Sequence, residues 1–501
     1  MEFQYPTLLI SLFTIILIFL FKNLKTSKSK NLPPGPWKLP IIGNLHQVIG
    51  PLPHRGFKEL AKKHGPIMHL QLGEISLMIV SSSKVAAEAL KTNDICLADK
   101  PQQLLSDIIL ENCRDFVFAR YGDYWRQMRK ICTLELLSVN KVKSFRFIRE
   151  DESWHLIDTV QKSLGSPINM SEKFAELSYN ITCRAAIGKK GDKEVIEMVE
   201  DIAYWAAGFF INDLFPSIKF LSVLNGMKPA LKTIRRKIDH IFKEIIVEHK
   251  EKLASREKGV AVDTQDEDLV DVLLRVNETQ RLQFPINDND VQAITLDMLT
   301  AGTDTSSTVL EWAMSALMKH PRVMKKAQDE VRELLKGKDK VSEIDILGQL
   351  SYLKMVIKET LRLHTPLPLL VARECRKECE IEGYTIPEKS KLIVNVWAIG
   401  RDPNYWVDAE AFIPERFENS SVDFTGTHFD YLPFGAGRRM CPGINFGVAG
   451  VELPLAQLLY YFDWKLPNDV KPEDLNMEES FGTTNKRKHN LVLVPTLAHK
   501  P

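Results

Sequence analysis

Residues 434–443 read Phe434-Gly435-Ala436-Gly437-Arg438-Arg439-Met440-Cys441-Pro442-Gly443, one cysteine in a loop crowded with glycine and followed by proline. With average residue usage, phenylalanine, glycine, arginine, cysteine and glycine at these offsets arise by chance in a chain of 501 residues on the order of 10⁻⁴ times. The glycines allow positive φ and let a flat ligand come close to the backbone. Arg438 and Arg439 place positive charge beside the sulfur, which favours thiolate over thiol. An inert core cysteine needs none of this, so the stretch predicts a loop that presents Cys441 as a thiolate. Gly435-Ala436-Gly437 also opens like a dinucleotide fingerprint, but Met440 stands where the third glycine belongs and no strand–helix unit surrounds it. No nicotinamide site is implied.

The stretch resembles the haem-binding loop of the cytochrome P450 family, FxxGxRxCxG, with Phe434, Gly437, Arg439, Cys441 and Gly443 filling every specified position. The resemblance implies a mainly α fold with small β-sheets. It further implies haem b, with Cys441 as the axial ligand to iron and Phe434 and Arg439 beside the cofactor. A thiolate ligand pushes electron density onto iron and favours O–O cleavage, so the ligand type points to oxygen activation over oxygen carriage.

Upstream, Asn287 or Asp288 can cap a helix whose first turn suits Asp290 and which His320-Pro321 ends, about thirty residues or roughly 45 Å. In its middle lies Ala301-Gly302-Thr303-Asp304-Thr305-Ser306, poor helix-forming sequence. A glycine there costs about 1 kcal/mol with no evident packing need, and hydroxyls at 303, 305 and 306 can compete for carbonyls and open the ladder. By resemblance this is the family's oxygen-binding groove, with Thr305 hydrogen-bonding dioxygen and Asp304 feeding protons from solvent. Glu359 and Arg362 share one face of the helix through Leu353, Val356, Ile357 and Leu361. In the family such a pair is buried, is joined here by Arg416 of Pro414-Glu415-Arg416-Phe417, and serves folding around haem.

Trp125 and Arg129, four apart, also share a helix face. The resemblance turns them to the haem propionates, with Arg373 able to pair one as well. Pro366-Leu367-Pro368-Leu369-Leu370-Val371 should pass over the haem, although Thr365 and Ala372 stand where relatives carry proline, which leaves this path open. Phe116, Met298, Ala301, Leu369, Val371 and Phe481 are the implied substrate-pocket residues. Leu104, Leu105, Ile108, Ile109, Leu110 and Phe118 cluster nearby in sequence, and 204–211 would bring aromatic residues to a substrate entrance. Leu70-Gln71-Leu72 and Leu77-Met78-Ile79-Val80, separated by Gly73-Glu74, read as a hairpin.

Sixty-six basic against 65 acidic residues give a net charge of +1, which makes no claim on nucleic acid. Seven scattered cysteines read as reduced thiols in a cytosolic setting. Tyr5 to Phe21 is an uncharged run of seventeen residues followed by Lys22, Lys25, Lys28 and Lys30. That pattern predicts an uncleaved membrane anchor with the chain beyond it in the cytosol. The organisation expected is an anchor over 1–21, a basic and proline-rich hinge over 22–40 and a haem-thiolate monooxygenase domain over 41–501, in the endoplasmic reticulum membrane.

The chain looks most like plant members that oxidise terpenoids. The resemblance implies hydroxylation, epoxidation or further oxidation of an apolar sesquiterpene or diterpene. Electrons would come from NADPH through a reductase flavoprotein, with cytochrome b5 as a second donor, since no flavin or nicotinamide motif is present. A haem-thiolate isomerase or dehydratase that needs no oxygen, and a non-catalytic haem-binding or ligand-binding membrane protein, are the alternatives. The pairing of Asp304 with Thr305 argues against both.

Overall fold

The computed structural model describes residues 31–498 except 49, 51, 112, 207–209, 219, 258–266, 280–281 and 481. The predicted anchor, the lysines behind it and Phe481 lie outside the described residues. Among the described residues no helix is long and apolar enough to cross a membrane.

The predicted long helix is found as Asp288–Lys319. Asn287 caps it: its Oδ1 accepts from Asp290 N at 3.0 Å, and Asp290 Oδ2 accepts from Asn287 N at 2.9 Å. Pro321 then opens the helix Pro321–Leu334 at its first position, where a missing amide hydrogen costs nothing. From Ser306 to Met318 every residue of the long helix is buried, as only a helix enclosed on all faces can be. It packs chiefly on Met170–Ile187, and then on Ile444–Tyr461 and Ser351–Leu363.

Two expectations for its centre need correction. The helix is not opened at 301–306. The hydroxyls of Thr303, Thr305 and Thr308 donate back to the carbonyls of Leu299, Ala301 and Asp304 at 2.7, 2.7 and 2.6 Å while the helix continues. Gly302 also has a packing reason, because a Cβ there would stand 3.0 Å from Thr182 Cγ2 and 3.1 Å from its Oγ1, on the helix Met170–Ile187. The glycine lets the two helices close on each other.

The hairpin pairs Ile67–Leu72 with Ile75–Val80 across Gly73, whose φ is +59°. Lys391–Val394 adds in parallel beside the second strand, and Arg373–Glu374 completes a four-stranded sheet, with Arg373 opposite Leu392. Strand pairing fixes the path just after Ala372, and backbone bonds from Asn485 N to Pro366 O at 2.8 Å and from Trp397 N to Pro368 O at 3.2 Å hold the stretch that follows Thr365. The described end of the proline-rich stretch is tied to the first sheet. His69 N donates to Pro34 O at 2.9 Å and Asn44 Nδ2 to Trp37 O at 2.9 Å, so residues 34–37 are held on the first strand and the turn before it. A second sheet joins Ile168–Asn169, Val492–Leu497 and Phe462–Lys465, so the fold is mainly α with small sheets.

Glu359, Arg362 and Arg416 come together beneath the helices. Arg362 donates to both Glu359 oxygens at 2.7 and 2.8 Å and to the carbonyls of Gly400, Ala409 and Ala411 at 2.5, 2.7 and 3.0 Å. Arg416 Nε and Ile413 N complete the Glu359 carboxylate at 3.0 and 2.8 Å. One fork of donors thereby ties the helix Ser351–Leu363 to two downstream loops.

Candidate functional site

The cysteine loop folds as a tight frame. Cys441 N donates to Phe434 O at 3.0 Å, and Gly435 and Gly437 both take a φ of +70°. A Cβ on Gly437 would collide with Leu90 O and the Asp94 carboxylate, so only glycine fits. The sulfur faces a cavity between this loop and the long helix, whose Met298, Ala301, Gly302, Thr305 and Ser306 form the opposite wall. Burial pushes the Cys441 thiol up, while the Gly443 amide and the Arg129 guanidinium act the other way.

The source of positive charge at the sulfur therefore differs from the expectation. Arg438 turns away to Asp94 and the Tyr121 hydroxyl, each at 3.1 Å. Arg439 spends its donors on the carbonyls of Ala98 at 2.8 Å and Phe116 at 3.3 Å, with its guanidinium 4.4 Å from the Trp125 ring. Arg129, from the helix Asp123–Ile131, is the cation that reaches the cysteine; it donates to Met440 O at 2.6 Å.

Among the described residues four cations line the cavity: Lys100, Arg129, Arg373 and Arg439. Among the described residues, only Arg373 of these four has a carboxylate in contact, Asp94 at 2.7 Å, and it also donates to Ala436 O at 2.7 Å. Lys100 holds the carbonyls of Val371 and Ala372 at 2.9 and 3.0 Å. Burial, with Arg373 and Arg439 nearby, pulls the Lys100 ammonium well below its ordinary value, and burial lowers Arg439 to about 10. No Asp or Glu lines the cavity among the described residues. Clustered cations, three of the four without a carboxylate in contact, suit a ligand that brings its own negative charge. A flat macrocycle with two carboxylates would meet that demand, with Cys441 able to ligate its metal. The Trp125 indole, donating to Phe116 O at 2.9 Å, buttresses the same rim.

The structure brings Phe116, Met298, Ala301, Val371 and Phe434 to this cavity. Leu369 is a correction. It packs against the cluster that contains Phe57, Met68 and Ile393, and Leu367 and Leu370 line the cavity in its place. Leu370 takes a φ of +52°, a left-handed turn that reverses which side chain faces inward. Leu105, Ile109 and Leu110 belong to the core, and Trp205 and Phe210 pack on that core without lining the cavity. Asp304 also lies off the cavity, paired with Lys486 Nζ at 3.0 Å. Lys100 and Val117 were not singled out in the sequence. Lys100 depends on carbonyls 271 and 272 residues away, which no local spacing announces.

The profile of the cytochrome P450 family matches residues 33–492. A cytochrome P450 of Panax ginseng is 58% identical over 499 residues, covering 99% of this chain and 98% of its own. Premnaspirodiene oxygenase of Hyoscyamus muticus is 52% identical over 493 residues, covering 97% and 98%. A zebra fish cytochrome P450 solved with progesterone superposes with a TM-score of 0.75 at 23% identity, covering 89% of this chain and 100% of its own, which speaks to the fold alone. The fold and the site define a haem-thiolate protein, and the chain belongs to the cytochrome P450 family. It is a plant cytochrome P450 monooxygenase, with thiolate-ligated haem iron, electrons supplied by a redox partner and a hydrophobic substrate.

Proposed function

We propose that the protein hydroxylates, epoxidises or further oxidises an apolar terpenoid, a sesquiterpene or diterpene. Electrons come from NADPH through a reductase flavoprotein, with cytochrome b5 as a second donor, at the endoplasmic reticulum membrane. The observation that carries the substrate class is the roof of the cavity. Phe116, Val117, Met298, Ala301, Leu367 and Leu370 offer no charge and no strong hydrogen bond to orient a polar ligand. Burial at roughly 0.8 kcal/mol per methylene then supplies most of the affinity. The relative named for a diene oxygenase supports the same class.

Haem held by a thiolate supplies the activation of dioxygen and the insertion of one oxygen atom. In this reading Cys441 would ligate the iron, and Trp125, Arg129, Arg373, Arg439 and Lys100 would form the rim that receives the propionates. Glu359, Arg362 and Arg416 keep the fold that carries them. Thr305, on the cavity wall, moves a proton at its hydroxyl, and Asp304, held by Lys486, passes protons from the solvent side.

Product analysis in microsomes against a panel of mono-, sesqui- and diterpenes, with substrate-stimulated oxygen uptake measured alongside, tests the reading. Turnover of a glycosylated or multiply charged compound, with no response to terpenes, overturns it. Thr305→Ala tests the proton route. The Thr305 hydroxyl bonds only within its own helix in this structure, so its loss leaves fold and haem content unchanged. A missing donor at developing charge costs about 2.7–4 kcal/mol, so product per NADPH consumed should fall by about 10² while hydrogen peroxide rises. An unchanged ratio removes Thr305 from the chemistry.

A further inference from the structure

Two carboxyl groups lie buried side by side between the loop that bears Phe116 and Val117 and the long helix. Asp115 is 0% exposed and Asp297 5%. They divide three consecutive amides: Phe116 N donates to Asp297 Oδ2 at 3.2 Å, and Val117 N and Phe118 N donate to Asp115 Oδ2 at 3.1 and 2.8 Å. Asp115 Oδ1 is buried without any donor, and the Asp297 carboxyl stands within hydrogen-bond reach of Asp115. A buried acceptor left empty is strongly disfavoured, and two carboxylates in contact cannot both stay ionised. A single proton between them removes both problems.

We propose that Asp297 and Asp115 share one proton, Asp297 donating and Asp115 accepting as carboxylate, and that this bond positions Phe116 and Val117 at the substrate cavity. The surroundings assign the roles. Asp115 takes two amides and faces the cations Arg439 and Lys100, with Cys113, Cys132 and Tyr124 as further titratable neighbours. Asp297 takes the Phe116 amide and faces Asp115 and the Cys132 thiol. Burial and the Asp115 charge hold the Asp297 carboxyl well above the usual carboxylate range. Burial lifts Asp115 to about 6.

The same loop is gripped from its carbonyl side by Trp125 and Arg439, both of which donate to Phe116 O. The carboxyl pair therefore governs the amide side of 116–118, and its loss loosens cavity residues without unseating the cysteine loop. The sign of the pH dependence follows from the raised value. The shared proton leaves as pH rises through that raised value, so the grip weakens toward the alkaline side.

The test uses the purified holoenzyme. The wild type should show an infrared band of a protonated carboxylic acid at neutral pH that Asp297→Asn removes. Asparagine still donates to Asp115 and accepts from Phe116 N, so hydrogen-exchange protection of a peptide spanning 113–120 should stay within about threefold of wild type. Asp297→Leu, which can do neither, should lose protection by about tenfold or more, the size of one lost hydrogen bond. Corrected for intrinsic exchange, wild-type protection should fall at alkaline pH and that of Asp297→Asn should not. Absence of the infrared difference, or equal pH dependence in the wild type and Asp297→Asn, overturns the proposal even if Asp297→Leu fails to fold. None of these readouts depends on the terpenoid assignment.

Discussion

Serine in place of Cys441 is expected to abolish the red-shifted absorption of the ferrous carbon monoxide complex that a haem-thiolate gives. Serine is nearly the same size, and the Cys441 N to Phe434 O bond at 3.0 Å is a backbone bond that survives the change. The loop should therefore keep its shape while losing a soft, anionic ligand for a hard and weak one. Product formation should fall to background with it, and haem should be retained only weakly, through the basic rim of Arg129, Arg373, Arg439 and Lys100. The measurement is the reduced carbon monoxide difference spectrum against total haem. Persistence of the band would require another sulfur, and the structure makes that demanding. Of the described cysteines only Cys441 lines the cavity. Cys132 is fully buried and its thiol is pushed up by that burial, so a variant that kept the band would place the cofactor elsewhere in the fold.

What could be read from the chain alone is what short spacing encodes. The hairpin at 67–80 follows from apolar runs flanking Gly73, and the long helix from its Asn287 and Asp290 cap and its His320-Pro321 end. Glu359 and Arg362 meet because a helix brings residues three apart together. What escaped depends on direction and distance. Arg438 and Arg439 are adjacent to the sulfur in sequence, yet partners on distant segments, Asp94 and the carbonyls of Ala98 and Phe116, draw both guanidiniums away. Leu369 and Leu370 exchange places because one residue adopts positive φ, which a leucine sequence does not advertise. Gly302 looked like a helix defect only because Thr182, its close neighbour in space, lies on another helix. The carboxyl pair at 115 and 297 joins residues from two segments whose patterns, read singly, show one buried loop and one polar residue in a helix.

The largest effect on stability is expected from Arg362→Ala. The arginine side chain is wholly buried and donates to five acceptors, two on Glu359 and one each at Gly400, Ala409 and Ala411. Alanine leaves the Glu359 carboxylate in the interior with Arg416 and the Ile413 amide as its remaining partners and strands the Gly400 and Ala409 carbonyls, while Ala411 O keeps Arg416 Nη2 at 3.3 Å. Removing one partner of a buried pair costs about 3–5 kcal/mol, a large share of the roughly 5–15 kcal/mol that holds a domain folded. Arg362→Lys should recover little, because one ammonium can meet Glu359 but cannot also span three carbonyls fixed for a planar fork. Replacing both charges, Glu359→Leu with Arg362→Met, should likewise fail to restore stability. Such a swap rescues an isolated ion pair, whereas here it still leaves the Gly400 and Ala409 carbonyls without their donor and takes the carboxylate from Arg416 Nε. Urea midpoints followed by tryptophan fluorescence, with haem content measured on the same samples, decide the matter. A double variant as stable as the wild type, or Arg362→Ala within about 1 kcal/mol of it, would show that the network sets the specificity of the fold and contributes little to its stability.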